Sequence, residues 1–258
     1  MYLLNKAKSY LESWSLPKTV ECLVRGQTVL LRIDSRKELK RAKSFSNKEP
    51  NTLGWLDDVM KEGDVLYDIG ANIGQYSLYP AKKLSGKCQI YAFEPEALNF
   101  AKLNINISLN DLSGCIKAYP IALSGKDQIS DFYINKMGYG QALHHLGKNV
   151  DNMNKSFEPE HVQGAISLTL DSLVYDYSLK CPNHIKLDID GLEKEIIEGG
   201  KQTLSRPEVK SVLVEVSKVS EDNNDIEWFV KFFADLSFES VDYHTSRRSV
   251  ENLIFVKK

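Results

Sequence analysis

Short apolar runs alternate with amphipathic segments over most of the chain. From Asp64 onward the apolar runs predict strands, namely VLYDI (65–69), QIYAF (89–93), CIKAY (115–119), HIKLDI (184–189), SVLVEV (211–216), FESVDY (238–243) and NLIFVK (252–257). The amphipathic segments predict helices over about 74–84, 97–109, 192–204 and 226–236. Because strands that alternate with helices favour a parallel sheet covered on both faces, the pattern predicts an α/β fold.

Two stretches depart from this alternation. Residues 19–34 place Arg25-Gly26-Gln27 between β-rich flanks, which predicts a hairpin, and a polar, helical stretch follows to about Lys61. We therefore predict an N-terminal extension, 1–62, and a main domain, 63–258. Within that domain, residues 124–172 read as an irregular insertion, which forms either a substrate-side wall and lid or a long surface loop with short strands of its own that covers the sheet edge. The insertion carries aromatic side chains suited to a sugar ring: Tyr133, Tyr139, His144, His145 and Phe157.

The composition is that of an ordinary soluble protein. The 258 residues are 42% hydrophobic and 26% charged with a net charge of −2, so there is no global basic excess to hold nucleic acid. Residues 1–49 carry eleven Lys or Arg against five Asp or Glu, which indicates either a solvated surface or a binding arm. Four cysteines without C-x-x-C spacing, and the lack of a run of roughly 20 apolar residues, predict a cytoplasmic protein without a membrane span.

The stretch VLYDIGANIGQYSLY (65–79) joins the first predicted strand of the sheet to a helix through a glycine-rich turn. In an open parallel sheet, ligands bind at the carboxyl ends of the strands. A dinucleotide site requires G-x-G-x-x-G, whereas here Asn72 stands at the middle glycine and Asp68 would repel a pyrophosphate. A ligand with a positive centre fits better, and S-adenosylmethionine carries both a sulfonium and an ammonium.

A second carboxylate follows at the end of the next strand. Glu94 lies 20 residues after Gly74, the spacing at which such folds place a carboxylate on ribose hydroxyls. Asn72 either contacts the ligand or caps the following helix. The residues predicted to bind the cofactor are Asp68, Gly70, Asn72, Gly74, Glu94, Pro95 and Ala122.

The stretch HIKLDIDGLE (184–193) supplies the candidates for chemistry. A carboxylate at a strand end that faces the ligand crevice can take a proton or orient a substrate group, and Asp188 is the first candidate for such a base or orienting residue. The alternative is a structural ion pair with Lys186. Lys186 and His244 are the other catalytic candidates. Asp188, Asp190 and Glu215 would supply hard oxygen ligands for a divalent metal, but acidic strand ends are common without one, so a metal is not favoured.

Four stretches in order, YDIGANIGQYSLY, YAFEPEALNFAKLNINI, TLDSLV and HIKLDIDGLEKEIIEGG, resemble the FkbM family of S-adenosylmethionine-dependent methyltransferases. The resemblance implies the class I methyltransferase (Rossmann-like) sheet, with seven strands and the last antiparallel. It also implies that Asp68, Gly70 and Gly74 form the methionine-side turn and that Glu94 holds the ribose. The family usually reads K-x-D-x-E-G, and here Asp190 replaces the glutamate.

The resemblance further implies methyl transfer, usually to a hydroxyl oxygen of a sugar or natural product. Residues 1–60 and the insertion lie outside it, so it does not identify the acceptor. We therefore expect S-adenosylmethionine-dependent O-methylation of a carbohydrate or natural product, with transfer to nitrogen left open. The alternatives are a nicotinamide oxidoreductase on a similar sheet and a non-catalytic binding module that has kept the fold.

Overall fold

The computed structural model describes residues 18–147, 149, 156–189, 191–217, 224–241 and 250–258. The N-terminal extension begins with a hairpin of β1 (Thr19–Val24) and β2 (Gln27–Arg32), as predicted. Arg25 and Gly26 form the turn with positive φ angles, which match the twist of the paired strands. Two helices follow, α1 (Arg36–Lys48) and α2 (Pro50–Val59). The polar stretch divides there because Pro50 is disfavoured inside a helix but fits the first turn of a new one.

The main domain alternates strands and helices around the insertion. Its first part comprises β3 (Val65–Ile69), α3 (Gln75–Lys83), β4 (Gln89–Phe93), α4 (Ala97–Leu109) and β5 (Ile116–Tyr119). The insertion region contributes β6 (Ala122–Leu123), β7 (Gln128–Ile134), β8 (His145–Leu146) and β9 (His161–Leu168). The remainder comprises α5 (Leu170–Tyr175), β10 (His184–Leu187), α6 (Glu193–Glu198), α7 (Lys201–Ser205), β11 (Ser211–Ser217), α8 (Asn224–Asp235), β12 (Phe238–Val241) and β13 (Val250–Lys257).

Seven strands form the central sheet in the order β5-β4-β3-β10-β11-β13-β12. Every neighbouring pair is parallel except the two that β13 makes, so β13 alone runs antiparallel. The predicted seven-stranded, mostly parallel sheet with an antiparallel last strand is therefore confirmed. The strand order reverses between β3 and β10, which is where an open α/β sheet places its ligand crevice.

Side chains of the central strands alternate between two buried apolar clusters, one on each face of the sheet. Leu66 belongs to one cluster, whereas Tyr67 belongs to the other. The N-terminal extension completes the first cluster, because Phe45 of α1 and Trp55 of α2 pack in it with Leu66. The indole N–H of Trp55 also donates to Ser211 Oγ at the start of β11, at 3.1 Å. The extension therefore packs directly on the sheet through its helices α1 and α2.

The structure corrects one predicted helix and the description of the insertion. The helix predicted over 192–204 is two short helices, α6 and α7, with Gly199 and Gly200 between them. A Cβ on Gly200 would lie 2.6 Å from Leu170 Cδ2, so the chain needs glycine where it passes α5. The insertion is not irregular, because β6, β9, β7 and β8 form a second, four-stranded sheet in that order. Phe132, Ile134 and Leu146 form its small apolar core.

The cysteines of the chain are unpaired. Cys22, Cys88 and Cys115 are buried free thiols, and Cys181 is partly buried. In the described part of the chain, no helix has both the length and the apolar composition needed to cross a bilayer.

Candidate functional site

A cavity of about 290 Å³ lies at the carboxyl ends of the central strands. The β3–α3 turn and the end of β4 contribute Gly70, Asn72, Glu94 and Pro95 to its wall. The segments after β10 and within β11 contribute Asp188 and Glu215 on the other side of the switch point. Further lining residues come from α1, α4, β6 and the insertion: Arg41, Lys48, Asn99, Ala122, Phe132, Gln141, Ala142, Leu143, His144 and Leu146.

Gly70 allows the first strand to turn tightly against β10. Its φ is +78°, and the N–H groups of Gly70 and Ala71 both donate to the carbonyl of Phe93 at 3.0 Å. A Cβ on Gly70 would lie 2.0 Å from the carbonyl oxygen of Asp188, so no other residue fits without moving the backbone. Gly74, the N-cap of α3, packs against Leu103 and does not line the cavity.

Glu94 is a buried carboxylate held by two backbone donors. Its Oε2 accepts from the N–H of Asn72 at 2.8 Å, and its Oε1 accepts from the N–H of Glu96 at 2.9 Å. Burial raises the pKa of Glu94 to about 7, with help from the charge of Glu96 and against those two hydrogen bonds and Arg41. Each oxygen keeps a free acceptor site, so Glu94 is arranged to accept from two neighbouring hydroxyls in the cavity.

Asn72 joins the glycine-rich turn to the insertion. Its side-chain Nδ2 donates to the carbonyl of Gln141 at 2.7 Å, while its Oδ1 accepts from the N–H of Ile73. The N-cap of α3 is Gly74, so Asn72 does not cap that helix. Asn72 lines the cavity, and its contact with a ligand stays a prediction.

Asp68, Lys186 and Asp188 form a charged group at the floor of the cavity. Asp68 is fully buried, where its Oδ2 accepts from Ser77 Oγ at 2.6 Å and its Oδ1 lies 3.4 Å from Lys186 Nζ. Lys186 Nζ also donates to Asp188 Oδ2 at 3.0 Å. Of the three residues, Asp188 alone lines the cavity. The structure therefore contains the Asp188–Lys186 ion pair that was the alternative to a catalytic role for Asp188.

This pairing fixes the charge states of Lys186 and Asp188. Burial lowers the pKa of Lys186, but the nearby carboxylates of Asp188, Asp68 and Glu49 outweigh it and hold the pKa well above its usual value. Burial raises the pKa of Asp188, and the ammonium of Lys186 outweighs that and lowers it. Lys186 thus stays charged beneath the floor, a position that favours a supporting role. Its direct catalytic role and a cofactor contact for Asp68 stay predictions.

Three carboxylates converge at the β10 and β11 end of the cavity. Carboxylate oxygens of Glu49, Asp188 and Glu215 all lie within 4.8 Å of one another. Burial, followed by the charges of Asp188 and Glu49, raises the pKa of Glu215 to about 8, against Lys186 and Lys48. Glu49 was not predicted from the sequence, because it lies at the α1–α2 junction outside every motif.

The trio considered for a metal from the sequence was Asp188, Asp190 and Glu215. Asp190 lies outside the described residues. The ammonium of Lys186 contacts Asp188 and already balances part of the negative charge of this cluster, so no divalent cation is needed there to compensate Asp188. A metal stays unfavoured.

The α1 helix and the insertion meet across the cavity. Arg41 Nε donates to the carbonyl of Gly140 at 2.8 Å. Asn99 of α4 accepts from the N–H of Gly140 at 2.8 Å and donates to the carbonyl of Gln141 at 3.1 Å. Arg41 and Asn99 were not predicted as site residues, and only the basic character of residues 1–49 pointed to the extension.

The insertion forms one wall of the cavity, but only His144 of its predicted aromatic residues lines that wall. His144 lines the cavity, together with Phe132, which the sequence analysis did not single out. Neither ring nitrogen of His144 has a partner in the described part of the chain, and burial lowers the pKa of His144 to about 4. Tyr139 stacks on Lys102 instead, with Nζ 4.3 Å from the ring centroid. His244 lies outside the described residues.

Comparison with known proteins identifies the family of the chain. Residues 68–243 match the family described as the methyltransferase FkbM domain. The hexuronic acid methyltransferase AglP of Haloferax volcanii is 25% identical over 75% of this chain and 72% of its own length. The 31-O-demethyl-FK506 methyltransferase FkbM of Streptomyces tacrolimicus is 22% identical over 62% of this chain and 68% of its own. The aligned part of this chain covers between 57% and 72% of the length of such relatives.

A solved structure shows the same fold. The methyltransferase FkbM of Methylobacillus flagellatus KT superposes with a TM-score of 0.53 at 11% identity, covering 86% of this chain and 55% of that one. The family match extends over more than half of the chain and spans the glycine-rich turn, Glu94 and the Lys186–Asp188 segment. The chain therefore belongs to the FkbM family of methyltransferases.

Proposed function

We propose that this protein transfers the methyl group of S-adenosylmethionine to a hydroxyl oxygen of a sugar or related natural product. The observation that carries the proposal is the placement of Glu94 and the Asp188–Glu215 group on opposite sides of one cavity at the strand switch point. One side suits a nucleoside and the other suits an acceptor. The relatives named for methylation of a hexuronic acid and of an oxygen of FK506 support this substrate class.

The residues present fit S-adenosylmethionine. Glu94 would accept hydrogen bonds from the ribose hydroxyls, beside an apolar surface of Phe93, Ile121 and Leu123 that suits adenine. The turn at Gly70 leaves backbone exposed next to the acidic floor, where a positively charged ligand is favoured. When bound, S-adenosylmethionine supplies a methyl group activated by a positively charged sulfur.

The acceptor would lie at the β10 and β11 end of the cavity. Lys186 keeps Asp188 ionised, so Asp188 is a constant hydrogen-bond acceptor for the attacking hydroxyl. Orientation of the hydroxyl by a fixed carboxylate reduces the entropy that the transfer step must lose. The insertion and α1 line the remaining sides, where their closure over a bound acceptor would exclude water from the reacting atoms.

Two measurements test the proposal. In a thermal-shift assay, S-adenosylmethionine and S-adenosylhomocysteine should raise the melting temperature, whereas NAD should not. Radiolabelled S-adenosylmethionine should then label methyl α-D-glucopyranoside or methyl β-D-glucuronide. Methyl 2-amino-2-deoxy-α-D-glucopyranoside is the matched amine probe. Stabilisation by NAD alone would contradict the cofactor, and labelling confined to the amine nitrogen would contradict transfer to oxygen.

A further inference from the structure

We propose that Glu215 is the catalytic residue that takes the proton from the acceptor hydroxyl, while Asp188 positions that hydroxyl. This inference rests on the proposed O-methyl transfer and assigns the proton to a residue that the family match does not single out. It changes the first candidate for the base, which the sequence placed at Asp188.

Position makes both carboxylates available to one hydroxyl. Strands β10 and β11 are parallel neighbours, with Leu187 paired to Val214, so Asp188 and Glu215 follow side by side. Both line the cavity, and their carboxylate oxygens come within 4.8 Å of each other. A hydroxyl oxygen between them can lie about 2.8 Å from each, which is hydrogen-bond distance.

The two carboxylates differ in their partners. Asp188 receives a hydrogen bond from the ammonium of Lys186 at 3.0 Å, and that ammonium is fully buried. Among the described residues, no side chain donates a hydrogen bond to Glu215, and its neighbour across β13 is the neutral Asn252. Protonation of Asp188 would cost the interaction with Lys186, whereas protonation of Glu215 breaks no such pair.

The charges around Glu215 strengthen this division. Asp188 after β10 and Glu49 at the α1–α2 junction raise its pKa, while Lys186 of β10 and Lys48 of α1 lower it. The hydroxyl of Tyr76 on α3 donates a hydrogen bond to Glu49, and the charges of Asp188 and Glu215 also act on that hydroxyl. Burial and the two carboxylates prevail and bring the pKa of Glu215 to about 8, whereas that of Asp188 is lowered. Two carboxylates whose proton affinities diverge in one site are the usual arrangement for an acid–base residue beside a charged one.

In the methyl transfer, each bond, electron pair and proton is accounted for. The hydroxyl oxygen of the acceptor forms a bond to the methyl carbon as the carbon–sulfur bond breaks, and the sulfur keeps the electron pair of that bond. The hydroxyl proton passes to Glu215, which becomes a neutral acid, and S-adenosylhomocysteine leaves as a neutral thioether. Arrival of a sulfonium next to Glu215 favours its ionised form, so cofactor binding prepares the base.

The test is the pH dependence of kcat at saturating S-adenosylmethionine, with the methyl glycoside that accepts most label in the assay above. Wild-type kcat should rise about tenfold per pH unit and level off at or below a pH of about 8, as expected for one ionising base. Glu215→Gln should lower kcat about 100-fold or more, and should remove the rise while S-adenosylhomocysteine still binds. Glu215→Asp should keep the rise at reduced kcat.

Asp188→Asn separates the two roles. It removes a negative neighbour of Glu215, so the rise should persist with its midpoint shifted to lower pH. A Glu215→Gln enzyme that keeps the wild-type rise, or an Asp188→Asn enzyme that loses it, would overturn the assignment.

A second measurement needs no acceptor. Carboxyl-carbon NMR of the protein saturated with S-adenosylhomocysteine, with Glu215 assigned by its loss in Glu215→Gln, should show Glu215 titrating near pH 8 and Asp188 ionised throughout. Titration of Glu215 below pH about 5, near an ordinary glutamate, would overturn the inference. If no glycoside is methylated, the proposed function fails; this titration is independent of that result, because it measures the pKa of Glu215 without an acceptor.

Discussion

Lys186 lies 3.4 Å from Asp68 with both side chains buried, so the acidic residue of the glycine-rich turn faces an internal cation. Methionine in place of Lys186 would leave the Asp68 carboxylate uncompensated in the core. We expect Lys186→Met to lower the free energy of unfolding by about 3–5 kcal/mol, the usual cost of breaking a buried ion pair. Urea denaturation measures this loss.

An exposed ion pair provides the control for Lys186. Lys87 pairs with Glu62 at 3.0 Å, and both side chains are 63% exposed. Lys87→Met should therefore cost about 1 kcal/mol or less. The double change Lys186→Met with Asp68→Asn should recover part of the stability, because both partners of the buried pair are then neutral. Equal losses in the two single variants would show that the buried pair does not stabilise the floor.

Alanine substitutions at Gly70 and Gly63 distinguish the cost of backbone strain from the cost of a steric conflict. Gly70 and Gly63 both have positive φ, so alanine at either position costs about 1–2 kcal/mol of backbone energy. A Cβ meets nothing within 4 Å at Gly63 but lies 2.0 Å from the Asp188 carbonyl at Gly70. Gly70→Ala should therefore lose more stability than Gly63→Ala in urea, and it alone should weaken S-adenosylhomocysteine binding by calorimetry. Equal losses of stability in the two variants would mean that the turn after β3 accommodates a Cβ at Gly70 without steric conflict.

The residues that the sequence identified share one property. Gly70, Glu94 and Asp188 each follow directly after an apolar strand, and the edge where parallel strands end is fixed by the sheet itself. Local patterns therefore predicted the sheet, the turn and one side of the cavity. The positions of the three insertion strands, β7, β8 and β9, were not predicted, because a long polar connection between β7 and β9 obscures their pairing.

The rest of the site depends on packing between distant segments. Arg41 lines the cavity, and Glu49 lies beside the carboxylates of Asp188 and Glu215, because Phe45 and Trp55 pack α1 and α2 against the sheet. No spacing along the chain records that contact. The sequence also does not show that Asp188 lines the cavity while Lys186 lies beneath its floor, because both residues belong to one short motif.

Glu94 should make both stability and cofactor affinity depend on pH. Its pKa in the folded protein is about 7, above the ordinary 4.5, so the folded state retains a proton that the unfolded chain releases. The stability that this proton contributes is present below pH 4.5 and is lost as the pH rises through 7. Ribose hydroxyls donate best to an ionised carboxylate, so affinity for S-adenosylhomocysteine should rise over the same interval.

The variant Glu94→Ala tests that interpretation. It should weaken S-adenosylhomocysteine binding by about 1–3 kcal/mol at pH 8, the usual effect of removing a charged hydrogen-bond acceptor, and should flatten the pH dependence of affinity. Glu21→Ala, on the exposed side of β1, should leave both unchanged. Calorimetry at pH 6, 7 and 8 measures the dissociation constant of S-adenosylhomocysteine below, near and above the pKa of Glu94. Wild-type affinity that falls with pH, or an unchanged affinity in Glu94→Ala, would remove Glu94 from the cofactor site.

The insertion should loosen when its link to α4 is cut. Asn99 is buried, and its side chain accepts from the N–H of Gly140 and donates to the carbonyl of Gln141. Asn104 lies on the same helix, but its side chain is exposed and donates only to Phe100 of its own helix. Asn99→Ala should speed amide hydrogen exchange at Gly140 about tenfold or more, since losing a buried hydrogen bond costs about 1–3 kcal/mol. Asn104→Ala should change it little.

The functional consequence distinguishes a lid from a cover. If the insertion closes the acceptor side, Asn99→Ala should lower methyl transfer more than it lowers S-adenosylhomocysteine affinity, and bound product with acceptor should slow proteolysis between 135 and 147 in the wild type. The loss should appear in kcat and in KM for the acceptor together, because closure both orders the acceptor and excludes water. Full turnover in an Asn99→Ala protein whose Gly140 amide exchanges rapidly would show that the insertion only covers the sheet edge. The basic α1 helix, with Arg41 and Lys48 on the cavity wall, would then be the surface on which to seek the acceptor.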